Sequence, residues 1–294
     1  HRRIILEKNP RYWARELVRL ERVIFLPIQD DAAALNLYRA GDVDVLFSFP
    51  HEIHTLLRTK RDYNASQGWG TYYYKLNTTK GVLRNPLVRR ALSRAVDRRA
   101  IARFLNGGQV PATSFTPPAI PDYDPPRGVD FDPGQARQDL AAAGYPGGKG
   151  FPRLSILYNT QEGHKHIAEI VQKMWERQLG IGVTLSQQEW KVFLQTTTKM
   201  EHEIARSGWI GDFMDPATFL DMFQTTGGNN DTGWSPPAYQ QLIRRALLAG
   251  TRQERLALFR QCETMLNEAV PLIPIYHYAF VGLTKPYVRG YYPN

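Results

Sequence analysis

The chain predicts an α/β fold, a parallel or mixed sheet covered by helices, and three observations carry that prediction. Short segments of alternating or continuous apolar residues take turns with segments whose apolar residues recur every three or four positions. Most of the helical segments carry their own start and stop signals, such as Asn85-Pro86 and Asp132-Pro133 before them and Gly41, Gly144 or Gly180 after them. A hydrophobic content of 43% with 12% aromatics, in 294 residues, supports a core larger than one small lobe needs. Two lobes or one large α/β unit are therefore expected.

Taken in order, Arg3–Glu7 and Arg19–Phe25 read as strands joined through Asn9-Pro10. Residues 31–39 form an amphipathic helix with Ala34, Leu35 and Tyr38 on one side, stopped by Gly41. Residues 42–47 alternate and then run apolar, as a strand entering a sheet does, and residues 51–57 suit a short helix. Residues 70–77 make an aromatic strand. Asn85-Pro86 opens a helix whose stripe is Val88, Ala91, Leu92 and Ala95, and Asp97 caps another that ends near Asn106-Gly107-Gly108. Residues 109–133 are a proline-rich loop, too long to be an ordinary connection. A helix from Asp132-Pro133 to Gly144, a strand over 153–158, a helix over 164–179, a strand over 183–187 and a helix over 189–199 follow. After the polar Gly-Asn loop at 225–237 come two helices, the second opened by the capping-box pattern Thr251-x-x-Glu254. Strands over 272–278 and 281–283 close the series.

The stretch from Glu203 to Phe223 organises the rest. A strand ends near Gly208, and a helix begins at Pro216 with Asp215 as its cap. Between them a tight turn carries one further carboxylate, Asp212. Arg206, Trp209 and Asp212 thus offer a cation, a flat apolar face and an anion at one strand-to-helix mouth, a combination that suits a zwitterion. The plainer reading is that Asp212 closes a turn, Trp209 is core and Arg206 is a solvated strand residue. Tyr72, Tyr73, Tyr74, His164 and Trp190 also fall at strand ends or helix starts, where open α/β sheets bind ligands. Core packing for Trp190 and a surface turn for His164 are the plainer alternatives.

Six Trp, 15 Tyr and 13 Phe are enough to line a site needing flat apolar surface with polar tips. The net charge of +9 is spread along the chain, and its densest clusters, Arg89-Arg90 with Arg94, Arg98 and Arg99, then Arg244-Arg245, fall on helical patterns. They are expected to be solvated faces, which argues against a nucleic-acid partner. Cys262 is the single cysteine, so no intrachain disulfide forms and the compartment stays open. No catalytic template fits. The Gly144–Gly150 run lacks the Ser or Thr of a phosphate loop, no Gly-x-Ser-x-Gly elbow occurs, and His164 and His166 point to different helix faces. The expectation is a protein without catalysis, cofactor or metal. A metal- or acid–base-dependent hydrolase built on His164 and nearby carboxylates is the rival from another class.

Ordered matches along the chain carry a resemblance. They include Glu7-Lys-Asn-Pro-Arg-Tyr-Trp13, Tyr38-Arg-Ala-Gly-Asp-Val-Asp44, Thr71-Tyr-Tyr-Tyr74, Asn85-Pro-Leu-Val-Arg-Arg-Ala-Leu92, Ala205-Arg-Ser-Gly-Trp209 with Gly211-Asp212, and Lys285-Pro-Tyr-Val-Arg-Gly-Tyr291. On these the sequence resembles the family 5 extracellular solute-binding proteins of bacterial ABC importers, in their oligopeptide-binding branch. The resemblance implies a periplasmic-binding-protein-like (type II) clamshell, which encloses short peptides between two lobes and delivers them to membrane permease subunits. It implies a monomer on the periplasmic or extracellular face of the cytoplasmic membrane. It further implies that Asp212 meets the peptide ammonium and that Arg206, with His164 for some lengths, meets the carboxylate. Trp190, Trp209, Tyr72, Tyr73 and Tyr74 would line side-chain pockets, and Gly208 would be a further peptide-binding residue. A nickel chelate, haem, dipeptide or murein peptide stays open as the ligand. Two departures stand out: Leu105 and Thr197 occupy positions that are often basic in that branch, and the family's long first segment is missing. Residues 1–70 are accordingly expected to be a remnant of the first lobe, 71–279 a complete second lobe, and 280–294 a return to the first. The chain would then be a C-terminal piece with no signal sequence of its own.

Overall fold

The computed structural model describes residues 3–28 and 30–291. The chain divides into two compact units, one built from residues up to Ala65 and from Val281 onward, the other from Ser66–Phe280. Those boundaries differ by a few residues from the ones the sequence suggests. The last residues of the expected return segment, from Tyr292 on, lie outside the described residues.

In the first unit β1 (Ile4–Glu7) and β2 (Arg22–Phe25) form an antiparallel pair with Ile4 opposite Phe25. Helix α1 (Asp31–Ala40) starts where Asp30 Oδ1 accepts the Ala33 N–H at 2.6 Å, and it buries Ala34, Leu35 and Tyr38. Gly41, at φ +89°, ends it. The N–H of Asp42 turns back to the Leu37 carbonyl at 3.0 Å, so it cannot enter a ladder. For that reason the strand expected over 42–47 shrinks to β3 (Val45–Leu46). A 3₁₀ turn leads into α2 (His54–Leu57). The unit's small core joins the α1 stripe to Leu46, Phe49, Leu57 and Leu283.

The second unit holds the larger sheet. Its strands are β4 (Tyr63–Leu76), β5 (Val110–Pro111), β6 (Leu154–Asn159), β7 (Val183–Gln188), β8 (Ile204–Ile210) and β9 (Leu272–Thr284). The order is β9-β4-β8-β6-β7, with β5 added to β9. β4 runs antiparallel to β8, while β6 is parallel to both β7 and β8, so the sheet is mixed, as expected. The two final strands expected from the sequence are one, since β9 continues without a break to pair with β3.

Helices cover both faces. Helices α3 (Pro86–Arg94), α4 (Arg98–Leu105), α5 (Pro133–Ala142) and α6 (Glu162–Leu179) supply one core, which holds Tyr72, Tyr74 and the fully buried Trp175. The other face carries α7 (Trp190–Thr198), α8 (Ala217–Leu220), α9 (Pro237–Leu248) and α10 (Arg252–Ala269). There Tyr73 packs among residues of α8, α9 and α10. Alternation along β4 therefore sends consecutive tyrosines into different cores. Most expected caps are in place: Asn85, Asp97, Asp132 and Thr251 each accept an N–H of their helix's first turn.

The charge clusters need correction. Arg89 and Arg98 are buried rather than solvated, with guanidiniums spread over backbone carbonyls: Arg89 on Leu83, Arg84, Ala269 and Val270, Arg98 on Ser93, Val96 and Pro274. A guanidinium has five donors, enough to satisfy carbonyls left over at helix ends and strand starts. Arg99, Arg244 and Arg245 are exposed, as expected.

Candidate ligand-binding site

The turn after β8 is built around Asp212. The β4–β8 ladder closes with Gly70 opposite Ile210, and Gly211 N–H then donates to Trp69 O at 2.8 Å. A side chain at Gly211 would occupy the Trp69 indole, so only glycine allows this approach. Two indoles clamp the turn. Trp69 Nε1 donates to Phe213 O at 3.2 Å, and Trp209 Nε1 donates to Thr218 O at 2.6 Å. Asp212 itself is exposed. Its N–H donates to Thr218 Oγ1 at 3.0 Å, and that hydroxyl lies 3.5 Å from Oδ2. Among the described residues no cation pairs with its carboxylate. Asp215 is different: it accepts Ala217 N–H at 2.9 Å and is paired with Arg255. Nearby, burial pushes the Asp221 carboxyl up, and the Asp212 and Asp215 charges add to it. The mouth of the turn is thus negative, with one carboxylate unspent.

The helix expected from Pro216 is shorter than the sequence suggests. α8 is one turn, continued by a 3₁₀ turn over Asp221–Gln224.

Three residues before the Trp209 face, Arg206 points to the opposite side of the sheet. Its guanidinium lies over the Tyr72 ring, 4.9 Å from the centroid. Nη1 is 3.4 Å from Asn159 Oδ1 and Nη2 3.5 Å from the Tyr278 hydroxyl, both long contacts, and buried Nε has no partner. No carboxylate of the described residues reaches it. His164 stands beside it, with Nδ1 3.4 Å from the Tyr72 hydroxyl. Burial, then the Arg206 charge, lowers the imidazole to about 3, so it is neutral in any ordinary buffer. Tyr72 stacks on Tyr276 with centroids 4.9 Å apart, and Tyr278 meets both edge-on. A side chain at Gly208 would strike the Tyr278 hydroxyl, which lets that phenol lie against the strand. A half-hidden cation without an anion, facing a neutral imidazole and phenols, has the chemistry to receive a carboxylate.

The structure therefore brings Arg206, Gly208, Tyr72 and His164 together, and places Asp212 with Trp209 at the strand's end. It does not bring the rest. Tyr73 sits edge-on to Phe115 at 5.0 Å in the other core, and Tyr74 is fully buried. Trp190, half-exposed at the start of α7, stacks on Phe193 rather than on either group. Thr197 is buried on α7. Sequence reasoning missed Trp69, Asn159, Thr218, Tyr276 and Tyr278. The alternating Tyr276-His277-Tyr278 and the glycines flanking Trp69 were readable signals; Thr218 offered none. A surface hollow of about 570 Å³, lined by Arg90, Arg94, Arg127 and Glu268, lies apart from these residues. Among the described residues no group of three or more His, Cys, Asp or Glu could hold a metal ion, and no helix is long and apolar enough to cross a membrane.

Comparison with known proteins bears on this geometry. Residues 1–231 match the family model described as bacterial extracellular solute-binding proteins, family 5 Middle. The chain is 35% identical over 300 residues to the periplasmic murein peptide-binding protein MppA of Escherichia coli, covering 98% of this chain and 55% of that one. It is 32% identical to the periplasmic oligopeptide-binding protein OppA of Salmonella typhimurium, with the same two coverages. The solved structure of the E. coli murein tripeptide binding protein MppA superposes with a TM-score of 0.91 over 98% of this chain and 58% of that one, at 35% identity. Haemophilus influenzae OppA in complex with RPPGFSPFR gives 0.88 over 99% and 59%, at 30% identity. The chain thus spans a little over half the length of these relatives. Matched through most of its length by that model, and in fold by these structures, the chain belongs to family 5 of the bacterial extracellular solute-binding proteins.

Proposed function

We propose that the chain is part of the substrate-binding component of an ABC importer, one that captures short peptides outside the cytoplasmic membrane and hands them to a permease. The observation that carries this reading is a pair of unmet opposite charges on one strand and its turn: the exposed Asp212 carboxylate and the Arg206 guanidinium. Six residues of extended chain span at most about 20 Å, so a peptide of a few residues reaches from one to the other. In this reading Asp212 holds the α-ammonium with Trp209 beside it, and Arg206 with neutral His164 holds a carboxylate, while the fully buried Tyr72 backs the guanidinium rather than lining the ligand. Asp212, Arg206, His164 and Trp209 all belong to the unit Ser66–Phe280. The other unit is read as part of a first lobe, completed by polypeptide corresponding to the remaining length of the relatives. Relatives named for peptides and murein peptides support the class.

Calorimetric titration of the full-length protein with tri- to pentapeptides tests it, alongside their N-acetylated and C-amidated forms. Asp212→Asn should weaken free-amine peptides at least about tenfold, as should acetylation of the ligand for the wild type. Arg206→Gln should erase the difference between acid and amide C-termini. If Asp212→Ala binds free peptides as tightly as the wild type, the anchor is misassigned. Equal binding of acetylated peptides would redirect the search to the other solutes.

A further inference from the structure

Resting on the reading of Asp212 as the ammonium anchor, we infer that Thr218 is its positioning residue. Thr218 is only 2% exposed, in the single turn of α8. Its hydroxyl accepts the Asp212 N–H at 3.0 Å, which leaves its one hydrogen for Asp212 Oδ2, 3.5 Å away. Its carbonyl accepts the Trp209 indole at 2.6 Å. One buried residue thus holds the anchor's backbone, faces its carboxylate and fixes the aromatic wall beside it. On the far side of the turn Trp69 bonds Phe213 O, so the backbone is held from both directions. An exposed aspartate on an unsupported loop would lose rotamer freedom on meeting an ammonium, and a carboxylate already oriented loses less. The hydroxyl therefore acts on the bound amine through Asp212, without touching the ligand.

A double-mutant cycle on the full-length protein separates this role from a general support of the fold. The probes are trialanine and N-acetyl-trialanine, with circular dichroism and thermal melts on each variant. Thr218→Val, nearly isosteric, should weaken trialanine about tenfold, while Thr218→Ser stays within about threefold of wild type. In the Asp212→Asn background Thr218→Val should cost no more than about twofold, and its effect on the acetylated peptide should be equally small. Should Thr218→Val bind trialanine like wild type while Asp212→Asn does not, the positioning role is wrong and the anchor stands. An equal loss in both backgrounds, or for both ligands, would reduce Thr218 to a packing residue and overturn the inference. If Asp212→Asn has no effect, the anchor itself falls, and this role with it.

Discussion

Glu263 is a carboxyl with no exposure at all, on a helix that otherwise packs apolar residues. It accepts the Thr116 N–H at 2.8 Å and the Tyr123 hydroxyl at 2.6 Å, and so ties the proline-rich loop to α10. Burial raises it from 4.5 to about 7 despite those bonds. A raised carboxyl means that the folded state holds the proton more tightly than the unfolded chain. The associated stability is complete below about 4.5 and is lost as pH rises through about 7. At about 1.4 kcal/mol per pKa unit, the swing is on the order of 3 kcal/mol. Urea midpoints at pH 5 and pH 8 should therefore show Glu263→Gln gaining about 2–3 kcal/mol on the wild type between the two. A constant difference would mean that Glu263 keeps one protonation state. The same scale shows what single letters reveal. Asp212 stands out in the sequence because a carboxylate shortly after a strand and before Asp215-Pro216 has few structural duties. Thr218 was not, since a threonine in a first helical turn looks the same whether it holds a neighbour or not.

Helix ends were the most legible elements, because a cap is local chemistry: one side-chain oxygen and one free N–H a few residues on. Strand ends were less so. β3 shortened because the backbone at Asp42 was taken by α1, and β9 lengthened because a partner, β3, lies far away in sequence. Arg89 shows the limit most clearly. Its place in an Arg-rich helix reads as solvated, yet it serves as the end of another helix. Nε and Nη2 meet Ala269 O at 2.9 and 2.6 Å, at the C-terminus of α10, while Nη1 meets Leu83 O at 2.8 Å. A cation there also offsets the helix dipole. Burial, with a contribution from Arg90, lowers it to about 10, so it stays charged at neutral pH. Arg89→Met should cost about 3 kcal/mol or more in denaturant unfolding, since several buried carbonyls lose their donors at once. Arg89→Lys should recover only part of that, because an ammonium cannot spread over four carbonyls. A loss under about 1 kcal/mol for Arg89→Met would mean that water replaces the guanidinium.

At the scale of the molecule, the net charge of +9 could suggest a polyanion partner, and the fold takes several of the cations out of reach of one. Arg89 and Arg98 point inward, Lys75 is buried against Asp231, and Arg94 and Arg255 are matched to Asp139 and Asp215. Several outer pairs, such as Lys8 with Glu21 and Arg252 with Asp122, are exposed and far apart in sequence. β4, the strand that carries the aromatic run at 70–77, starts at Tyr63, close to where one compact unit gives way to the other. What this arrangement implies for ligand binding is measurable. A binder that gathers phosphates loses about 10³–10⁵ in affinity between 50 and 200 mM salt. A peptide held by one ammonium–carboxylate contact and one half-buried guanidinium has few long-range terms to screen. Trialanine affinity of the full-length protein should accordingly change by less than about tenfold over that interval, and heparin should not compete with it. A steep salt slope would move the +9 charge to the centre of the function and displace the peptide reading.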